Sequence, residues 1–307
     1  MKRAQLLHNP GAGDEEHSKE ELMSLLESNG FECRYSSTKK KEWKDIEPGV
    51  DLLVVAGGDG TVRKITEELL GRKVMEKILP IALLPLGTAN NIAKTLGITG
   101  NPEEIIPAWR NGIIKKYDVG RIYDIEDSHF FLESFGYGVF PFLMKEMKKR
   151  GKDEIVSPEE KMKTALHLLH EIILSYEPRF CQLEVDGTDH SGKFLLAEIM
   201  NTRSIGPNLC LSPLADPGDG ELEVVLVPEK HKEKFAAYIE SLLYGKDETF
   251  TFTTLQAKEV RISWEGNHVH VDDKVVKIEK SAEVKIELKE GLLRFLVPED
   301  STPLVGR

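Results

Sequence analysis

Apolar positions in the first 120 residues recur with two alternating periods. Residues 4–8 form a short apolar run and read as a strand. Residues 20–28 place Leu22, Leu25 and Leu26 at helical spacing and stop before Gly30, a residue suited to closing a helix. Phe31, Cys33 and Tyr35 alternate with polar residues, as in a half-buried strand. The run Leu52-Leu53-Val54-Val55-Ala56 predicts a buried strand, and the helical pattern after it carries Ile65, Leu69 and Leu70. A strand over 81–84 and a helix over 88–96 follow. Another helix is opened by Asn101-Pro102-Glu103-Glu104, with proline first and acids in the first turn. Such alternation implies a mostly parallel sheet that binds ligands at the carboxyl ends of its strands.

Beyond about residue 122 the pattern changes. Strand-like runs recur at 130–135, 180–185, 194–200, 222–227, 260–264 and 284–288, the mark of an antiparallel second domain. Two helices interrupt them. One, over 159–174, carries Met162, Ala165, Leu166, Leu169, Ile172 and Ile173 on one face, and the other spans 231–243. No internal repeat is visible. The expected division is 1–122 and 123–289, with 290–307 as a candidate to pack on the first domain.

Three turns at strand ends carry the candidate chemistry. In Gly57-Gly58-Asp59-Gly60-Thr61 the glycines let a ligand approach the backbone, and the helix that follows turns its positive end toward it. That suits phosphate. Asp59 is out of place beside an anion unless it holds a metal or accepts a proton, so the turn points to phosphoryl chemistry; a tight turn with Asp59 as a helix cap is the plainer reading. Asn9-Pro10-Gly11-Ala12-Gly13 is a second such turn. Leu84-Pro85-Leu86-Gly87-Thr88-Ala89-Asn90-Asn91 is a third, where Thr88 is placed to cap a helix and face a ligand. Each alone could be an ordinary loop; three on one sheet edge argue for a phosphate site.

Composition narrows the setting. The 307 residues suffice for one large or two ordinary domains, and 40% hydrophobic with 30% charged is typical of a globular protein. No apolar stretch nears the roughly 20 residues that span a bilayer. The first residues show no cleavable signal pattern. Cys33, Cys181 and Cys210 are odd in number and far apart, which argues against a disulfide framework and for a reduced, cytoplasmic protein. A net charge of −11 speaks against nucleic acid as a partner.

The three turns, in this order, resemble the diacylglycerol kinase catalytic family, a lipid-kinase family related to sphingosine kinases and NAD kinases. The likeness continues through Met200-Asn201 with Gly206, through the segment from Ser212 to Leu222, and through Gly291-Leu292-Leu293-Arg294-Phe295-Leu296-Val297-Pro298. It implies a phosphofructokinase-like three-layer α/β domain and a C-terminal antiparallel β-sandwich domain for the lipid, with ATP and lipid meeting between them. By this likeness Asn9, Pro10, Gly11, Ala12 and Gly13, with Gly57, Gly58, Asp59, Gly60 and Thr61, hold the nucleotide, assisted by Thr38 and Thr88. Asp216, the side chain of Asp219 and the carbonyl of Glu221 correspond to a structural Mg²⁺ loop. The residues support a hard cation independently, since the loop is rich in oxygen and glycine, although a solvated acidic turn has the same composition. The family's Asp-Gly-Glu triplet, whose glutamate is held to take the lipid proton, has its best match in Asp272-Asp273-Lys274, where a lysine stands in place of that glutamate. Val62-Arg63-Lys64 also departs from the usual residues after the glycine turn.

The resulting expectation is an ATP-dependent lipid kinase using Mg²⁺ and acting on a diacylglycerol-type lipid at the inner membrane surface. Asp59 is the first candidate to orient or deprotonate the acceptor, and Asp272 and Asp273 are the second. An NAD kinase-like enzyme and a nucleotide-binding protein without kinase activity are the alternatives, and a homodimer is a candidate assembly. Two further features stand apart. His268-Val269-His270 puts two imidazoles on one strand face, as packing or as a metal site. The run Lys145, Lys148, Lys149, Arg150 and Lys152, after Phe140-Pro141-Phe142-Leu143-Met144, is either a solvated helix face or a contact with anionic lipid.

Overall fold

The computed structural model describes residues 2–12, 17–71, 78–126, 128–150, 157–246, 250–279 and 282–299. Two compact units divide the chain, one comprising Met1–Asp118 with Glu290–Arg307 and the other Val119–Lys289.

In the first unit, β1 (Lys2–His8) pairs in parallel with β2 (Phe31–Ser37) and with β3 (Leu52–Gly57), and β3 pairs in parallel with β4 (Ile81–Pro85). Phe295 and Leu296 extend this sheet, running parallel to Ile81 and Ala82. Strands β3 and β4 are buried along nearly their whole length, as expected where helices cover both faces of a parallel sheet. Helices α1 (Lys19–Ser28), α2 (Asp59–Leu70), α3 (Asn91–Thr95) and α4 (Pro102–Ala108) connect the strands. Two of them start at capping boxes, Ser18 with Glu21 and Asn101 with Glu104, each satisfying two backbone N–H groups reciprocally. This is the expected α/β class. Strand β5 (Ile113–Ile122) leads into the second unit.

The second unit begins with β6 (Phe130–Phe131), β7 (Ser134–Gly138), α5 (Val139–Lys149), α6 (Pro158–Ser175) and β8 (Arg179–Val185). It continues with β9 (Thr188–Asp189), β10 (Gly192–Met200), β11 (Ser204–Ile205), β12 (Leu209–Cys210), β13 (Leu222–Pro228) and α7 (Lys232–Leu243). Then come β14 (Thr253–Ala257), β15 (Glu259–Trp264), β16 (His268–Val271), β17 (Lys274–Lys277) and β18 (Glu283–Val297). Pairing is antiparallel around β10, which joins β7, β8 and β13. The two-residue period of β13 sorts its side chains between two cores. Leu222, Val224 and Leu226 face the β-sandwich interior with Phe135, Leu183 and Ile262, while Val225 and Val227 face α5, α6 and α7 through Phe140, Leu169 and Phe235. Each such side chain, taken fully out of water, contributes about 1.5–3 kcal/mol.

Two elements differ from the sequence reading. The run 130–135 is two short strands, because the chain breaks at Leu132 and Glu133 to send their N–H groups to the Asp272 carboxylate. The helix expected over 88–96 begins only at Asn91, because Asn90 takes a left-handed conformation (φ 54°).

Candidate nucleotide site at the glycine turns

The three turns leave the ends of β1, β3 and β4 and are tied to one another. Asn9 Nδ2 donates to Thr61 Oγ1 at 3.1 Å, and the Asn9 N–H donates to the Ala56 carbonyl at 2.9 Å. Asn9 Oδ1 accepts from the Gly11 N–H at 3.3 Å, and the Ala12 N–H donates to the Asn9 carbonyl, which together shape the first turn around Pro10. Gly13 lies outside the described residues. Leu86 N–H donates to the Gly57 carbonyl, joining the second turn to the third.

Packing between turns explains two of the glycines in terms other than phosphate contact. A Cβ on Gly87 would lie 2.5 Å from the Gly58 Cα, and one on Gly58 would lie 3.0 Å from the Gly87 Cα. Their side-chain faces are therefore filled by each other.

Asp59 does not cap its own helix. Its Oδ2 accepts from the Asn91 N–H at 2.9 Å and its Oδ1 from the Ile92 N–H at 3.0 Å. The carboxylate thus caps α3 from a turn 32 residues away. Thr88, expected to cap that helix, is half-buried three residues before its start, and Asn90 occupies the cap position. Asn90 instead braces the third turn, accepting from the Gly87 N–H and donating to the Pro85 and Gly87 carbonyls.

Helix α2 begins at Gly58 with no side-chain cap, in contrast to α1, α4 and α6. The Thr61 and Val62 N–H groups donate to the Gly58 carbonyl at 2.8 and 3.1 Å, and the positive end of the helix opens beside exposed Gly60. Three lysines stand near the turns. Lys39 Nζ lies 3.0 Å from where a Gly11 Cβ would be, and Lys64 donates to the Thr38 carbonyl at 2.7 Å. Thr38 itself is buried, its N–H donating to the His8 carbonyl. Burial pulls the Lys94 ammonium below its usual value, and the Asp59 charge opposes that fall. An uncapped helix start, open glycine backbone and nearby ammonium groups together fit a phosphate chain. Lys39 and Lys94 were not read from the sequence; the triplet Lys39-Lys40-Lys41 directly after Thr38 was the available signal for the first.

In the second unit, Asp272 is a structural anchor. Its buried carboxylate accepts from the N–H groups of Leu132, Glu133 and Ser134 at 2.8–3.2 Å, and its own N–H donates to the Ser134 carbonyl. Asp273 and Lys274 are exposed beside it. Asp216 Oδ1 accepts from the Gly218 N–H and Asp219 Oδ1 from the Glu221 N–H, so each carboxylate folds its own turn. Burial raises the Glu223 carboxyl, and the charges of Asp219 and then Glu221 raise it further, which marks this loop as a place of concentrated negative charge. Among the described residues no three His, Cys, Asp or Glu side chains converge as a metal cluster. A cation here would therefore rest on the two aspartates and a carbonyl. His268 and His270 also hold no such cluster: the His270 ring is locked between Glu198 and the Asp272 carbonyl.

Residues 3–122 match the model of the diacylglycerol kinase catalytic domain, and residues 147–297 match that of the YegS C-terminal NAD kinase beta sandwich-like domain. The chain belongs to the diacylglycerol kinase catalytic family. A diacylglycerol kinase of Bacillus subtilis (strain 168) is 24% identical over 86% of this chain and 87% of its own length. Another, from Mycobacterium tuberculosis (strain ATCC 25618 / H37Rv), is 27% identical over 74% and 71%. The crystal structure of a diacylglycerol kinase from Bacillus anthracis superposes with a TM-score of 0.71 at 20% identity, covering 98% of each chain, and so shares the fold. Members of this family are lipid kinases, and the diacylglycerol kinase domain here is the one that carries all three glycine turns. Among the described residues no helix is long and apolar enough to cross a membrane.

Proposed function

We propose that this chain transfers the terminal phosphate of ATP to the hydroxyl of diacylglycerol or a related lipid, working at the inner, cytoplasmic surface of a membrane. The observation that carries the proposal is the uncapped start of α2 at Gly58, set among the glycine turns and lysines of the family's catalytic domain. ATP supplies the phosphoryl group, and Mg²⁺ offsets its charge when bound. Asn9 through Thr61 fixes the first turn against the second, and the start of α2 presents N–H groups to phosphate oxygens. Lys39 adds positive charge, with Thr38 and Thr88 at the margins of the site. Asp216, Asp219 and the carbonyl of Glu221 are the proposed structural Mg²⁺ loop.

The bonds from Asp59 to Asn91 and Ile92 favour a positioning role, in which it sets the third turn against the second. Asp272, engaged by three N–H groups, is proposed to hold the chain that presents Asp273, the exposed carboxylate left to receive a proton. Lys274 next to it does not preclude turnover. The loose transition state of phosphoryl transfer needs little deprotonation before attack.

Labelled ATP, offered with a lipid panel and with NAD, tests the proposal. Label in a lipid is expected. Label in NAD would make the chain an NAD kinase, and bound ATP without any transfer would make it a nucleotide-binding protein.

A further inference from the structure

Helix α5 packs beside the β16–β17 hairpin, and between them lies an open groove of about 700 Å³. Lys145 and Lys148 line it from the helix, and His268, Lys274 and Lys277 from the hairpin, against one acid, Asp273. His268 and Lys277 are direct cross-strand partners, an arrangement that sets like charges opposite each other whenever the imidazole is protonated. The charges are close enough to act on one another. Burial and then Lys149 and Lys277 lower Lys145, and burial and then Lys145 and Lys277 lower His268. Among the described residues none of the four lining lysines forms an ion pair with a carboxylate, whereas Lys149 on the same helix is paired with Glu146.

Four ammonium groups gathered in one groove are poorly explained as a solvated face, which would spread them apart. They are matched by an oxyanion of high charge density, and the shared chemistry is that of a phosphate group. The source follows from the rest of the molecule. A chain of net charge −11 is repelled by an anionic bilayer unless it concentrates positive charge on the face it presents. Apolar surface belongs to this groove as well: Met144 lines it from the helix, and Val275 and Val276 from the hairpin.

We propose that the groove binds the phosphate of an anionic phospholipid and docks the enzyme on the bilayer, an assignment that rests on the lipid acceptor proposed above. Binding to phosphatidylcholine vesicles with and without phosphatidylglycerol, in the absence of nucleotide, tests it. The full chain should sediment with the anionic vesicles only. Replacing Lys145, Lys148 and Lys277 together by Gln should weaken that partition about 10²-fold, roughly fivefold for each lysine. The same change in charge at Lys193, Lys230 and Lys234 should weaken it far less. Single Lys148→Gln and Lys277→Gln variants, each about fivefold weaker, serve if the triple variant does not fold.

Equal loss in both triple variants, no loss in the groove variant, or no binding by the parent chain would overturn the proposal. Displacement by soluble glycerol phosphate at matched phosphate concentration would also overturn it, assigning the groove to a free phosphate ester. Transfer of label to detergent-dispersed diacylglycerol, measured in parallel, reads the kinase reaction without vesicles, so failure of that reaction and failure of docking are separate results.

Discussion

At Gly58 and Gly87 two turns touch through their backbones, and the penalty for a side chain differs between them. The Gly87 Cβ position is 2.5 Å from the Gly58 Cα, and backbone atoms on both sides have little room to yield. Gly87→Ala should therefore cost about 1–3 kcal/mol in urea unfolding, the usual range for overpacking. Gly58→Ala, at 3.0 Å, should cost less. Equal stability of Gly87→Ala and the parent would show that the turns part readily. Asp59 gives a second test at this scale. Replacing it by Ala removes the cap of α3, worth about 1–2 kcal/mol, and should also cut turnover by at least ~10²-fold. Asp59→Asn keeps one acceptor oxygen and should recover part of the stability. If Asn restores turnover along with stability, Asp59 acts by position; if turnover stays low in a stable variant, the carboxylate charge itself is required.

The β16–β17 hairpin shows how one residue can organise an element far away in the chain. Asp272 sits in the hairpin turn with φ 50° and holds the corner between β6 and β7 through three N–H groups. Asp272→Ala would leave those buried donors without their acceptor, at about 1–3 kcal/mol each before relaxation. We expect a loss of roughly 3–5 kcal/mol, with Asn intermediate, as the melting of the variants will check. A loss below about 1 kcal/mol would mean that the corner finds other acceptors. This bond also marks where the sequence stops being legible. Strands β3 and β4 were visible because their apolar runs, closed by glycine and proline, are too short for a helix, and α1 and α4 were visible because their caps lie within three residues. The break at Leu132 was hidden because its acceptor lies 140 positions away. The Asp59 bond to α3 was hidden for the same reason at shorter range, and Lys39 because its partner turn is brought to it only by the pairing of β1 with β2. The glycine turns were legible as a candidate site; the contact between Gly58 and Gly87 that fills their side-chain faces was not.

For the molecule as a whole, the fully buried pair of Glu198 and His270 makes stability depend on pH. His270 Nδ1 faces the Asp272 carbonyl at 3.1 Å, and Nε2 faces both Glu198 oxygens at 2.8–2.9 Å, so both ring nitrogens look at acceptors. Burial by itself would lower the imidazole, but the Glu198 charge and these hydrogen bonds outweigh it and raise it above 6.5. Burial likewise raises Glu198 against the pull of His270. The folded pair thus keeps one proton that the unfolded histidine gives up near 6.5. Its contribution is fully present below that pH and is lost as pH rises through the folded value, at about 1.4 kcal/mol per pH unit for one proton. Urea unfolding between pH 6 and 9 should show this decline in the parent chain, and the double variant Glu198→Gln/His270→Gln, which leaves no titratable group in the pair, should lack it. The difference between the two profiles isolates the pair from the many surface groups common to both chains. Parallel profiles would mean that the pair exchanges its proton at the same pH folded and unfolded, and that its two short hydrogen bonds supply no net preference for the charged imidazole.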